Sequence, residues 1–297
     1  MEQQYFQLNL GGLSWSDWTA FTKTATLKSL TSRPGFYRIR AEKCNELVYI
    51  GQTGRNLRER LKQLQKGTFA ESMPFNDPHT AAPNLWVWRN EGIGEYECSV
   101  AVLECDYQTR QVVEDYILWL SRSEAGRSTL CNHGNFHSNY VKSSSQKQGR
   151  IGGKINPPYP QTEQFCSYGT KPLTFKQDAL SLDWMNLDWC IPEQLLPGVV
   201  KKMKKMEKDS GVYKIISTGT NQVIYIGESG EIKNRLMAHS RSPLADSEAE
   251  LLFSYVYLSQ ETTSVHRHEI ETDLIAGFYH EYHIAPLHQY SPIKKSS

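Results

Sequence analysis

Two tyrosines, an arginine and a glutamate recur at matched spacing in the two halves of the chain. In the first half Tyr37 and Tyr49 stand 12 positions apart, Arg60 follows eleven positions after Tyr49, and Glu114 precedes the apolar pair Ile117-Leu118. In the second half Tyr213 and Tyr225 are again 12 apart, Arg235 follows ten positions later, and Glu271 precedes Leu274-Ile275 at the same offset. His239 comes one helical turn after Arg235; its counterpart in the first half is Leu64. These residue types suit hydrolysis of a phosphodiester. A single carboxylate can hold Mg²⁺, which keeps most of its waters and bridges to a phosphate oxygen. A guanidinium offers the phosphate a forked donor whose charge persists at every relevant pH. A phenol is a poor base at its free pKa of ~10. A positively charged site favours the phenolate, which then takes or relays a proton from water.

The elements around these residues are legible. Gly35-Phe36-Tyr37-Arg38-Ile39-Arg40 and Leu47-Val48-Tyr49-Ile50-Gly51-Gln52-Thr53 alternate in hydrophobicity and flank a polar turn; so do Gly211-Val212-Tyr213-Lys214-Ile215-Ile216 and Val223-Ile224-Tyr225-Ile226-Gly227-Glu228-Ser229. Each pair predicts a β-hairpin. Residues two apart on a strand share a face, so the two tyrosines of each hairpin can converge. Helices are predicted at 56–64 and 232–239, where His239 shares the face of Arg235. Third strands are predicted at 96–104 and 251–258, each followed by an apolar-periodic helix that carries Glu114 or Glu271. Upstream, Ser14-Trp15-Ser16-Asp17-Trp18 and Ser181-Leu182-Asp183-Trp184 suggest a shared extension.

A G-x-Y strand, a Y-I-G strand and an arginine-bearing helix together resemble the GIY-YIG nuclease family, twice over, across 34–135 and 210–290. The resemblance implies an α+β fold of two tandem GIY-YIG-like domains, each a small, mainly antiparallel three-stranded sheet flanked by helices. It implies Mg²⁺ as cofactor, with Mn²⁺ as a substitute, held by Glu114 and Glu271. Tyr37 and Tyr213 would be general bases, with Tyr49 and Tyr225 assisting, Arg60 and Arg235 on the phosphate, and His239 contacting it or shuttling a proton. Asn132 stands where the family's terminal asparagine falls; in the second repeat that place goes to Gln289 or is lost. The expected activity is a restriction-type endonuclease on double-stranded DNA, sufficient as a monomer because one chain carries two sites. Alternatives are restriction of modified DNA, with the Trp86/Trp88 segment holding the base, and a non-catalytic tandem DNA-binding module.

Length and composition frame this reading. With 297 residues, 39% hydrophobic and 22% charged, the chain has material for two modest cores. The Ser/Gly/Pro/Gln-rich stretch at 143–164 reads as a linker between a first domain over 1–142 and a second over 165–297. A net charge of +1 means that any DNA footprint must be local. Arg58, Trp88, Arg89 and the run Lys201, Lys202, Lys204 and Lys205 are its candidates, although packing is the commoner fate of a tryptophan. Six scattered cysteines without a CxxC pair argue against a zinc ribbon or a disulfide framework. With no signal-like start and no apolar run of ~20 residues, the expected location is cytoplasmic, away from membranes.

Overall fold

The computed structural model describes residues 3–22, 24–74, 81–134, 137, 140–141, 154–155, 169–203, 210–242, 250–259 and 261–290. The chain groups into two compact units, Met1–Asp106 with Leu120–Gly169, and Tyr107–Trp119 with Thr170–Ser297. The stretch expected as a linker lies outside the described residues except for Lys154–Ile155.

Along the first part of the chain run β1 (Thr19–Ala20), β2 (Gly35–Ala41), β3 (Leu47–Thr53), α1 (Leu57–Thr68), α2 (Ala82–Asn90), β4 (Tyr96–Val102) and α3 (Tyr107–Ala125). Then β5 (Tyr140–Val141) pairs antiparallel with β6 (Lys154–Ile155). The later elements are β7 (Glu193–Gln194), α4 (Pro197–Lys202), β8 (Gly211–Ser217), β9 (Gln222–Ser229), α5 (Ile232–His239), β10 (Leu251–Tyr257) and α6 (Ser264–Tyr282). Among the described residues no helix is long and apolar enough to cross a membrane.

Each unit is α+β and holds an antiparallel sheet, ordered β1-β4-β2-β3 in one and β7-β10-β8-β9 in the other. Both sheets have four strands where three were expected. The additional strand, β1 or β7, is two residues long and comes from the segment upstream of the hairpin. It pairs with backbone on the outer edge of β4 or β10 that would otherwise lack partners.

The hairpins share one register. Tyr37 faces Gly51 and Ile39 faces Tyr49; Tyr213 faces Gly227 and Ile215 faces Tyr225. In both, the pairing slips at the same place, between Ile39 and Arg40 and between Ile215 and Ile216. Opposed residues share a face, so all four tyrosines look toward the face covered by α1 or α5. That helix buries Leu57, Leu61 and Leu64 in one unit, Ile232 and Leu236 in the other. The connection into α1 uses residues 54–56 and that into α5 uses 230–231, which accounts for the extra residue between Tyr49 and Arg60. Asn56 starts α1 by accepting from the Glu59 amide at 3.1 Å.

The opposite face holds a buried basic side chain in both units, a feature that the strand pattern alone does not announce. Arg38 follows Tyr37, is fully buried, and donates to the carbonyls of Tyr5 (2.7 Å) and Phe6 (3.1 Å) beneath the rings of Trp15 and Trp18 at 4.5 and 4.6 Å. Lys214 follows Tyr213, is equally buried, and donates to Ala179 (2.7 Å) and Ser181 (3.0 Å) beside Trp189 at 4.4 Å and Trp184 at 5.3 Å. The upstream segments are thus built alike: Trp15 donates its backbone amide to Leu8 and its indole N–H to Leu10, while Trp189 does the same to Leu182 and Trp184. The sequence comparison set Trp184 against the Trp15/Trp18 stretch; by hydrogen bonding the counterpart of Trp15 is Trp189.

Candidate active site

In the second unit the tyrosine face of the hairpin meets α5. The Tyr213 hydroxyl lies 2.9 Å from Nε2 of His239 and accepts a hydrogen bond from Nε of Arg235 at 3.2 Å. The Tyr225 ring stands 6.0 Å from Tyr213 and 5.0 Å from His239, centroid to centroid. Gly227 makes this cluster possible: a Cβ there would fall 2.5 Å from the Tyr213 oxygen and 2.9 Å from the Tyr225 ring. The glycine of Y-I-G is thus the floor on which the first-strand tyrosine lies.

The electrostatics depart from the expectation of a ready phenolate. Tyr213 is fully buried while Tyr225 is half-buried. Burial raises the Tyr213 pKa, Tyr225 adds to that, and the opposing pull of Arg235 is smaller. The phenol therefore stays protonated. Burial, then the neighbouring Arg235 charge, hold His239 down at about 4, so its imidazole is neutral and able to accept a proton.

In the first unit Tyr37 and Tyr49 have ring centroids 5.9 Å apart, and a Cβ at Gly51 would lie 2.6 Å from the Tyr37 hydroxyl. Tyr37 is fully buried, Tyr49 half-buried, and Arg60 sits on α1 beside the stripe that packs on them. Leu64 lies within that core where the second unit has His239.

Asn132 acts on backbone. Its Oδ1 accepts from the Ile50 amide at 2.9 Å and its Nδ2 donates to the Ile50 carbonyl at 2.8 Å, gripping the middle of Y-I-G on the outer edge of β3. The neighbouring Cys131 amide donates to Val48 at 3.0 Å. Gln289 does the equivalent in the second unit: Oε1 accepts from the Ile226 amide at 3.1 Å, and the His288 amide donates to Ile224 at 2.9 Å. Gln289 thus holds the Ile226 amide much as Asn132 holds that of Ile50. In both, the amide is engaged in holding a strand.

The glutamates are placed differently. Glu271 lies on α6, where its carboxylate is 3.7 Å from Nδ1 of His268; that nitrogen is also 3.5 Å from Glu228, itself paired with Arg267 at 2.5 Å. Among the described residues the ion-pair partner of Glu271 is His268, outside the tyrosine–arginine group. Glu114 falls in the part of α3 that groups with the second unit. There it and Glu271 both bear on the buried pair of Asp115 and Tyr290, whose hydroxyl donates to the Asp115 carboxyl. Burial, foremost, pushes both of those groups up.

The proposed DNA contacts are placed as follows. Trp88 is buried, 5.0 Å from the His137 ring. Arg58 directs Nε at the Leu30 carbonyl at 2.6 Å. Arg89 stacks over Phe69 at 5.1 Å. Lys201 and Lys202 are exposed at the end of α4, and Lys204 and Lys205 lie outside the described residues. Residues that sequence reasoning passed over are Arg38 and Lys214; a cation at the same inward-facing strand position of both hairpins, downstream of tryptophans, was the available signal. No family model, curated protein or solved structure matches the chain.

Proposed function

We propose that the chain is a Mg²⁺-dependent endonuclease that hydrolyses phosphodiester bonds of double-stranded DNA, with one site per hairpin. The observation carrying this reading is the convergence of Tyr213, Tyr225, Arg235 and His239 on one sheet face, over a hairpin whose register is repeated in the first unit. The GIY-YIG resemblance names that set, and the geometry gives each member work. Arg235 offers its fork to the phosphate. Tyr225, the more open phenol, meets water, and Tyr213 passes the proton inward to His239, a relay in place of a free phenolate base.

The donor chemistry fits a hard cation. The Glu271 side chain is 23% exposed, and Glu228 approaches the same imidazole nitrogen; Mg²⁺ asks for one or two carboxylates plus water and phosphate oxygens. Glu271 would hold it in the second site, and the ion would supply neutralisation of charge on the phosphate. Among the described residues no group of three or more metal-ligating side chains is assembled.

A supercoiled plasmid incubated with Mg²⁺ or Mn²⁺ tests the proposal. The wild-type chain should give nicked and then linear DNA, with EDTA abolishing both. Glu271→Ala should stop at nicked circles. Binding without any metal-dependent product would instead identify a DNA-binding module.

A further inference from the structure

The two sites are chemically unequal, because the position that brings His239 against Tyr213 in the second unit is occupied by Leu64 in the first. Resting on the nuclease reading above, we propose that the His239 site cuts first and the Leu64 site second, so that duplex DNA passes through a nicked intermediate with one strand chosen in advance. The Tyr213 hydroxyl is within hydrogen-bond distance of an imidazole nitrogen with no proton of its own to lose in the neutral tautomer that accepts. A leucine side chain has no atom that accepts a proton. The groups facing His239 are Tyr213, Tyr225 and Arg235. Arg235 lowers the basicity of the imidazole in the free protein. An anionic phosphate on that guanidinium offsets the repulsion, so substrate binding itself strengthens the acceptor.

The step balances as follows. The water oxygen forms its bond to phosphorus while a water proton passes to the Tyr225 oxygen, the Tyr225 proton to Tyr213, and the Tyr213 proton to Nε2 of His239. The bond from phosphorus to the leaving sugar oxygen breaks, and that oxygen takes a proton from solvent. His239 then returns its proton to solvent. Acting through the tyrosines, His239 is a positioning and relay residue. Proton transfer of this kind contributes ~10²–10⁴-fold, which sets the expected gap between the two cuts.

The test is a time course of supercoiled, nicked and linear plasmid with Mg²⁺, combined with strand-specific mapping of the first nick. Wild type should accumulate nicked circles broken on one strand only. Glu271→Ala should abolish that early nick. His239→Leu should slow the first cut by ~10²-fold and flatten its pH profile. His239→Gly should lose the early nick and regain it with added free imidazole, a response that a purely packing role does not give; circular dichroism checks that both variants are folded. Early nicks spread equally over both strands, or a first cut that His239→Leu leaves unchanged, would overturn the proposal while leaving the nuclease assignment standing. A wild-type chain that yields no metal-dependent product would overturn the assignment itself.

Discussion

Gly227→Ala should damage both the stability and the activity of the second unit. An ideal Cβ at this position lies 2.5 Å from the Tyr213 oxygen, 2.6 Å from its Cζ and 2.9 Å from the Tyr225 ring. Ordinary contact begins at 3.4 Å, so the phenol must retreat by about 0.9 Å. Retreat is expensive here, because Tyr213 is fully buried and its hydroxyl is tied to His239 and Arg235. Overpacking in a well-filled core costs about 1–3 kcal/mol. With a urea m-value of about 2 kcal/mol/M, the midpoint should drop by roughly 1 M. The same displacement breaks the 2.9 Å contact to His239, and a misplacement near 1 Å costs about 10²-fold in rate. Urea unfolding and plasmid nicking measure the two losses on one sample. Shortening the tyrosine should relieve the clash, so Gly227→Ala/Tyr213→Val should be more stable than Gly227→Ala alone, although inactive at this site. A Gly227→Ala protein with wild-type midpoint and wild-type nicking would refute the reasoning, as would a double variant in which the two effects simply add.

Three further perturbations probe the supports. Asn132→Ala strips partners from both the amide and the carbonyl of Ile50 and should cost about 1–3 kcal/mol; faster amide exchange at Ile50 reads it directly. Burial, foremost, holds Lys214 down at about 7 against an ordinary 10.5. Between those values the unfolded chain binds the extra proton, so stability should rise with pH by about 1 kcal/mol per unit from pH 7.5 to 9 and fall again as the pH drops to 7. Lys214→Met should lose that slope when unfolding is followed across the series. Trp88→Ala should cost about 3–5 kcal/mol of stability; if a thermal melt shows none and DNA binding falls instead, Trp88 belongs to an interface after all.

How much of this was legible in the sequence depended on whether a residue speaks through periodicity or through partners. Alternation gave both hairpins, because Tyr37, Ile39, Tyr49 and Gly51 must share a face once one side of the strand is buried. The fourth strand was hidden: two residues, Thr19–Ala20 or Glu193–Gln194, carry no period, and they pair only because the strand beside them has a free edge. The charge state of Tyr213 was misread for a related reason. Spacing revealed Arg235 nearby but not the burial that outweighs it. Arg38 and Lys214 stand at the alternate positions of their strands, and the upstream segment folds over that face and buries it.

The two halves also act as controls for one another. Arg38 and Lys214 differ in shape, yet each is held by two main-chain carbonyls and two indoles. Asn132 and Gln289 differ by a methylene, yet each takes the amide of the residue between Tyr and Gly. Ser16 and Cys190 differ in their heteroatom, yet Oγ of one accepts from Val100 at 3.1 Å and Sγ of the other from Tyr255 at 3.2 Å. At these places a physical requirement (a buried basic group to satisfy, an edge to close, an amide to engage) has been kept while the residue meeting it changed. His239 and Leu64 break that rule. Both fill space against a tyrosine-bearing strand, and packing alone tolerates either, but only one of them can take a proton. A substitution that preserves volume and removes an acceptor marks the point where the two halves stop being interchangeable, and any difference in chemistry between them should be sought there first.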